Sequence, residues 1–268
     1  MRVTLDLQLA LAEAVAATAR AGEVIVDLAH RRAFEVYAKA GTELVTTADL
    51  RSDEVLRDHL RASFPHHRFL SEEVASPEKP DFAGPVWIVD PIDGTVNYVH
   101  GHPYVSISAA LAVDGEPQAA VVHAPFLGET YAAIRGQGAT CNGHPIRVSQ
   151  TRTLRRALVG TGFPHDRSDI AVSIERVRRL VSSCQDVRRA GSPALDICYV
   201  AAGRLDAHCE SLPPWDVAAA GLIATEAGAL RGNLRDAQSP WPQALRGEEF
   251  IAASPGLFEP LCGLLREK

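Results

Sequence analysis

Residues 87–97 read Trp-Ile-Val-Asp-Pro-Ile-Asp-Gly-Thr-Val-Asn. The apolar run 87–89 is a buried strand that delivers Asp90, and Pro91, which has no N–H to give to a ladder, ends the strand pairing. Asp93, Gly94 and Thr95 follow, so two carboxylates three residues apart across a turn can converge on one point. Gly94 and Thr95 then open a helix, whose first N–H groups suit a phosphate. Two carboxylates ~4 Å apart repel by about 4 kcal/mol at an effective dielectric of ~20, and both would repel an anion at the helix start. A divalent cation resolves both conflicts. The donors here are all oxygens, with no His or Cys at ligand spacing, so Mg²⁺ is favoured over Zn²⁺. The plainer reading is a turn with two solvated aspartates, because Asp-Pro and Asp-Gly are ordinary turn dipeptides. Further acidic groups weigh against it: Glu72 and Glu73 at the end of a strand, and Asp216 at the start of a strongly apolar helix, where an N-cap is the alternative role.

Upstream of this stretch the pattern is helical. Leu5, Leu9, Ala12, Val15 and Ala16, then Ile25, Leu28 and Ala29, predict one amphipathic helix over 5–32. A second helix is predicted over 48–63, with Thr46 or Thr47 as its cap and Pro65 just past its end. Residues 68–73 and 86–90 read as short strands joined by a polar loop over 76–85. From 104 to 148 the chain alternates in the manner of strands, broken by turn signals at Asp114-Gly115, Leu127-Gly128 and Gly136-Gln137-Gly138, which predicts an antiparallel meander. Beyond 151 strands and helices alternate: strands over 157–162, 185–189 and 204–210 and near 249–253; helices over 169–183, 192–202 with Gly203 as C-cap, and 215–227; and a last helix capped by Ser254 with Pro255 at its first position. The chain therefore divides into residues 1–150, an α+β part carrying most of the acidic ligands, and 151–268, an α/β part carrying the last of them.

The 268 residues are 46% hydrophobic and 22% charged, which excludes a disordered or fibrous chain. The formal net charge of −6 argues against direct nucleic-acid binding. No apolar run approaches a membrane span, and the N-terminal helix is broken by Asp6, Glu13, Arg20 and Glu23. Five scattered cysteines, odd in number and never in C-x-x-C spacing, read as reduced thiols of a cytoplasmic protein.

Taken together, Asp90-Pro91-Ile92-Asp93-Gly94-Thr95, Trp215-Asp216-Val217-Ala218-Ala219-Ala220-Gly221, Glu72-Glu73, and Leu44-Val45-Thr46-Thr47-Ala48-Asp49 resemble, in order and spacing, the four motifs of the inositol monophosphatase family of metal-dependent, lithium-sensitive sugar phosphatases. The resemblance covers roughly residues 8–255. It implies a layered αβαβα sandwich, a homodimer, and two or three Mg²⁺ ions as cofactors. Glu72, Asp90 and the carbonyl of Ile92 would bind the first ion, Asp90, Asp93 and Asp216 the second, and Glu72 would face a third. Thr95, with Asp49 behind it, would orient and deprotonate the attacking water, with Glu73 as an orienting catalytic residue. The N–H groups of Gly94 and Thr95 would hold the phosphate. Lys39 stands where the family often has a loop lysine, and a solvated surface lysine is the equal alternative.

For the alcohol, the resemblance implies a pocket bordered by Ser192, Pro193, Glu210 and Asp216. Pro193 replaces the family's usual small residue. The connection from Glu210 to Asp216 is one residue shorter than the usual form and carries two prolines, which is expected to displace Glu210 and relax selectivity. The expected activity is hydrolysis of inositol monophosphate or a related polyol or sugar phosphate. Histidinol phosphate, fructose 1,6-bisphosphate and nucleotide 3′-phosphates are the alternatives within the superfamily. Some bacterial members also act in RNA-processing or transcription complexes, independently of catalysis. The aspartyl-phosphate chemistry of haloacid-dehalogenase-type enzymes fits less well, because their motif is D-x-D-G-T and this one is D-x-x-D-G-T. Finally, strands of the meander carry apolar residues on both faces (Val105, Ile107, Ala109, Ala119, Val121), an arrangement that suits a dimer interface.

Overall fold

In the computed structural model, which describes residues 5–39, 43–74, 81–164, 170–235 and 239–266, the first helix, α1 (Leu7–Arg31), starts where the Asp6 carboxylate accepts the N–H groups of Gln8 and Leu9. Ala10, Ala14, Ala17, Ala21 and Ile25 form its buried stripe, and such small residues let it lie close to the sheet beneath. A hairpin of β1 (Val36–Ala38) and β2 (Leu44–Thr46) follows. It was not legible in the sequence, because β1 is wholly exposed and carries no inside-outside alternation. α2 (Thr47–Ser63) is closed at its start by a reciprocal capping box between Thr46 and Asp49. The polar loop expected over 76–85 falls outside the described residues as far as 80, as does the start of the helix expected from 169.

β3 (Arg68–Ser71), β4 (Pro85–Asp93), the short α3 (Thr95–Val99), β5 (Ser106–Val113), β6 (Glu116–Ala124), β7 (Glu129–Ile134), β8 (Ala139–Cys141) and β9 (His144–Pro145) complete the first part. Their strands form one sheet in chain order, antiparallel except for β3 with β4. Contrary to the expectation from sequence, Pro91 does not end the pairing. β4 runs on to Asp93, with Asp90 opposite Ser108 and Asp93 opposite Ser106, so β4 holds one residue more than its partner. That residue is a β-bulge, which absorbs the missing proline N–H. It also matters for chemistry: in a regular strand residues three apart face opposite sides, and the extra residue brings both carboxylates to one side.

The second part contains β10 (Leu158–Thr161), α4 (Ile170–Ser183), β11 (Asp186–Arg188), α5 (Pro193–Ala201), β12 (Ala207–Glu210), α6 (Pro214–Glu226), β13 (Leu230–Asn233), β14 (Phe250–Ala253) and α7 (Pro255–Arg266). Its sheet has the order β11-β10-β12-β14-β13, with β10 parallel to both neighbours and β14 antiparallel to both. β13 escaped the sequence reading because Leu-Arg-Gly-Asn has neither apolar alternation nor full burial. Gly203, expected as a C-cap, follows the cap residue Ala202 and takes the positive φ that ends α5.

Stacked, these elements form five layers. α1 and α2 cover one face of the first sheet, α5 and α6 lie between the two sheets, and α4 and α7 cover the outer face of the second. This is the αβαβα sandwich expected. α6 is apolar all round because both of its sides are buried, and its run of alanines and Gly221 lets the sheets approach. The two apolar faces of the meander are explained within one chain. Val105, Ile107, Ala109, Ala119 and Val121 pack on the α1–α2 side, while Ala110, Ala112, Ala120 and Val122 pack on the α5–α6 side. They are therefore not an argument for a dimer interface. Among the described residues no helix is long and apolar enough to cross a membrane.

Candidate active site

A cavity of about 320 Å³ opens where the bulged end of β4, the end of β3 and the starts of α3, α5 and α6 meet. Asp90, Asp93 and Asp216 each place a carboxylate oxygen within 4.8 Å of the other two, and all three residues are buried. Glu72 lines the same cavity. Burial first, and then the charges of Glu72, Asp216 and Asp93, push the Asp90 carboxyl well above the usual carboxylate range. Burial and the charge of Asp93 do the same to Asp216. Asp93 is raised to about 7 by burial, against the donors that face it. Those donors all converge on Oδ2: the Ser192 hydroxyl at 2.6 Å, the Ala194 N–H at 2.9 Å and the Ser106 hydroxyl at 3.2 Å. They hold the carboxylate in one orientation.

Lys39, at the end of the β1 strand, reaches over from the hairpin. Its Nζ lies 2.7 Å from Glu73, 3.3 Å from Glu72 and 3.7 Å from Glu43. Burial alone would lower the ammonium, but these carboxylates outweigh it and hold it above its ordinary value. Lys39 is thus an exposed residue whose ammonium pairs with Glu72 and Glu73. Burial raises Glu72 to about 7 in spite of Lys39. Among the described residues none forms an ion pair with Asp90, Asp93 or Asp216. A buried, all-oxygen cluster with excess negative charge and no counter-cation is the environment a hard divalent ion satisfies. The residues present fit such an ion.

Beside the cluster, the Thr95 hydroxyl donates to Asp49 Oδ1 at 3.1 Å and to the Ile92 carbonyl at 3.2 Å. Asp49 is fully buried and does not line the cavity. Its Oδ2 accepts the Thr46 N–H at 2.7 Å and the Thr46 hydroxyl at 2.6 Å, so one side chain both caps α2 and faces Thr95. Burial raises its carboxyl, and the Thr46 and Thr95 hydrogen bonds oppose that. Gly94 has φ +97°, and a Cβ there would lie 3.0 Å from the Gly191 carbonyl. No side chain fits at that position without strain. Asn97 ties this corner to the loop before α5 by donating to the carbonyls of Tyr104 and Ala190.

The remaining expected residues divide in two. Pro193 and Glu210 line the cavity. Ser192 is fully buried behind Asp93, and Glu73 pairs with Lys39 outside the lining. Several contributors escaped the sequence reading. Ser106 and the Ala194 N–H orient Asp93. Asp53 accepts from Ser71 Oγ at 2.6 Å and Arg57 Nε at 2.7 Å, supporting the strand that carries Glu72. A serine or backbone amide carries no motif. Its partner lies on a different element and is found only once the layers are stacked.

This geometry has counterparts in known proteins. The family model described as "Inositol monophosphatase family" matches residues 6–268. The chain is 39% identical to Inositol monophosphatase 2 of Solanum lycopersicum over 224 residues, covering 81% of this chain and 84% of that one. It is 39% identical to the Nus factor SuhB of Escherichia coli (strain K12) over 258 residues, covering 95% of each. The solved structure of the inositol monophosphatase from Anabaena (Nostoc) sp. PCC 7120 superposes with a TM-score of 0.83 at 32% identity, covering 97% of this chain and 96% of that one. Three acidic segments meeting in one cavity with Asp49 behind Thr95, on this fold and with these relatives, place the chain in the inositol monophosphatase family, whose members are metal-dependent phosphatases.

Proposed function

We propose that the chain hydrolyses the phosphate monoester of a small polyol or sugar, inositol monophosphate among them, with Mg²⁺ as the cofactor. The observation that carries this reading is the convergence of Asp90, Asp93 and Asp216 beside the Thr95–Asp49 pair in a cavity that also presents Glu210. Glu72, Asp90, the Ile92 carbonyl, Asp93 and Asp216 would hold two or three ions, which when bound neutralise the phosphate and lower the pKa of water.

The chain's own residues do the rest. The Thr95 hydroxyl directs its proton to Asp49, which leaves its lone pair to accept a hydrogen bond from an incoming water. Asp49 stands behind it as the proton acceptor. The N–H groups of Gly94 and Thr95 face the phosphate, and Glu73 keeps Lys39 beside the cluster. Pro193, Glu210 and Asp216 border the alcohol, while Ser192 serves by holding Asp93. No covalent nucleophile is required. On this reading residues 1–150 supply most of the ligands and 151–268 the alcohol side and Asp216, with the cleft at their junction. The free cysteines Cys141, Cys184, Cys198, Cys209 and Cys262 support a cytoplasmic setting.

Phosphate release in Mg²⁺ across inositol 1-phosphate, glycerol 2-phosphate, histidinol phosphate, fructose 1,6-bisphosphate and adenosine 3′-phosphate tests the proposal. The polyol monophosphates should give the highest kcat/KM. A preference for histidinol or nucleotide phosphate moves the assignment within the family, and no release from any of them refutes it.

Two predictions accompany the proposal. LiCl should inhibit at millimolar levels where KCl does not, by occupying the more solvent-facing ion position. Equal effects of both salts would reduce the effect to ionic strength. The chain should also behave as a homodimer in light scattering at micromolar concentration. A mass near the 28.8 kDa of one chain would contradict this.

A second reading is a catalysis-independent part in an RNA-processing or transcription complex, favoured by the relatives named Nus factor SuhB. Retention of the whole acidic constellation favours the enzyme, because a scaffold has no need of converging buried carboxylates. Co-purification with an Asp93→Asn variant separates the two: a complex that forms equally with the variant supports the second reading.

A further inference from the structure

His208 is fully buried on β12, and the catalytic reading gives it no role. Along β12, Ala207 and Cys209 face the α4–α7 side, so His208 and Glu210 share the opposite face, toward α5 and the cavity. The neighbouring β10 is cut away beneath them. A Cβ on Gly160 would lie 3.0 Å from His208 Nδ1, and one on Gly162 would lie 2.0 Å from Glu210 Oε1. The two glycines of the run Gly160-Thr161-Gly162 thus make the bed on which the histidine and the glutamate lie.

Each ring nitrogen of His208 faces a carboxylate at ion-pair distance. Nδ1 is 3.4 Å from Asp196 Oδ2 on α5, and Nε2 is 3.5 Å from Glu210 Oε2. Neither nitrogen makes an aligned hydrogen bond. Asp196 is held in turn by the Tyr104 hydroxyl, which donates to Oδ1 at 2.7 Å. A neutral imidazole would turn a lone pair toward one of the two carboxylates, whereas the imidazolium donates from both nitrogens.

We infer that His208 is a positioning residue, a buried imidazolium that links Asp196 to Glu210 and fixes the Glu210 carboxylate over Gly162 at the alcohol side of the cleft. This deepens the proposed function and rests on it for the role of Glu210. Burial by itself would lower the His208 pKa, but Asp196, Glu210 and the more distant Asp93 outweigh it and raise it above the ordinary histidine value. Among the described residues, the charged and titratable groups that act on the ring are Asp196 from α5, Glu210 on its own strand and Asp93 beyond, with Tyr104 bonded to Asp196. The β10 and β14 partners of His208, Gly160 and Ala252, do not titrate.

Long-range ¹H–¹⁵N NMR of the histidine rings in the full chain tests the inference without reference to activity. His208 should be doubly protonated at pH 7.5, and its pKa should fall in Glu210→Gln. A neutral ring at pH 7 in the wild type, or a pKa unmoved by Glu210→Gln, overturns it.

Kinetics test the positioning. His208→Gln should raise KM for inositol 1-phosphate about fivefold with kcat held within about twofold, and Glu210→Gln should change kcat/KM by less than about tenfold. The double variant should be no worse than Glu210→Gln alone, because one residue acts through the other. Additive losses, or a fall in kcat with KM unchanged, would mean that His208 serves packing. If the wild type releases phosphate from no polyol ester, the proposed function fails, and the NMR result still decides the histidine. It also decides if His208→Gln does not fold.

Discussion

Asp93→Asn should lower kcat for phosphate release by about a thousandfold, a loss of ~4 kcal/mol, which is the scale of charge stabilisation a catalytic metal supplies. The expectation follows from how Asp93 is held. Its Oδ2 accepts from Ser106, Ser192 and the Ala194 N–H, and among the described residues no hydrogen bond holds Oδ1. An asparagine must either aim its NH₂ at three donors or aim it at the cluster where a cation has to sit, and in both orientations the negative charge is gone. The fold should survive. In EDTA the variant's melting temperature should equal or exceed the wild type's, because one of several mutually repelling buried carboxylates has been neutralised. Steady-state kinetics beside thermal melts check both halves. A loss of less than about tenfold would show that Asp93 is not needed at the reacting centre.

On the proposed function, chelation should abolish activity, and added Mg²⁺ should restore it together with stability. At a free ion concentration 100 times Kd, binding adds about 2.7 kcal/mol. For a chain of this size that raises the melting temperature on the order of 5–10 °C. The sign of the pH dependence follows from the raised carboxyls. Asp93 and Glu72, lifted to about 7 by burial, keep protons in the metal-free native state that the unfolded chain has already released. Their contribution to metal-free stability is therefore complete below about pH 4 and is lost as pH rises through about 7. Mg²⁺ needs the deprotonated ligands, so its stabilising shift grows over the same window. Melts in EDTA and in Mg²⁺ at pH 6 and pH 8 check this. Full phosphate release in metal-free buffer, or an ion-induced shift larger at pH 6, would contradict it.

The acidic motifs were legible because their chemistry is local. Asp90-Pro91-Ile92-Asp93-Gly94-Thr95 announces two carboxylates and a helix start within six residues. Thr46 with Asp49, and Ser254 with Pro255, likewise mark the starts of α2 and α7. The exposed strand β1 left no such pattern. Nor did the supports of the site: Ser106 and Ala194 meet Asp93 across 13 and 101 residues of chain. Even the alternation of Ala207, His208, Cys209 and Glu210 identifies a strand without saying that its polar face lies over glycines of a neighbour.

What the sequence by itself determined is the set of periodic elements, their caps and the residue types able to hold a hard cation, because these depend on neighbours a few positions away. Tertiary structure alone decided their convergence. The bulge at Pro91 turned Asp90 and Asp93 to one side, and the stacking of α6 between two sheets brought in Asp216. Capping of α2 placed Asp49 behind Thr95, and the register of β10 against β12 set His208 between two acids. Local propensity acts over a turn or a strand, whereas the distance between carboxylates on different elements is set by sheet register and layer packing, which only the folded chain possesses.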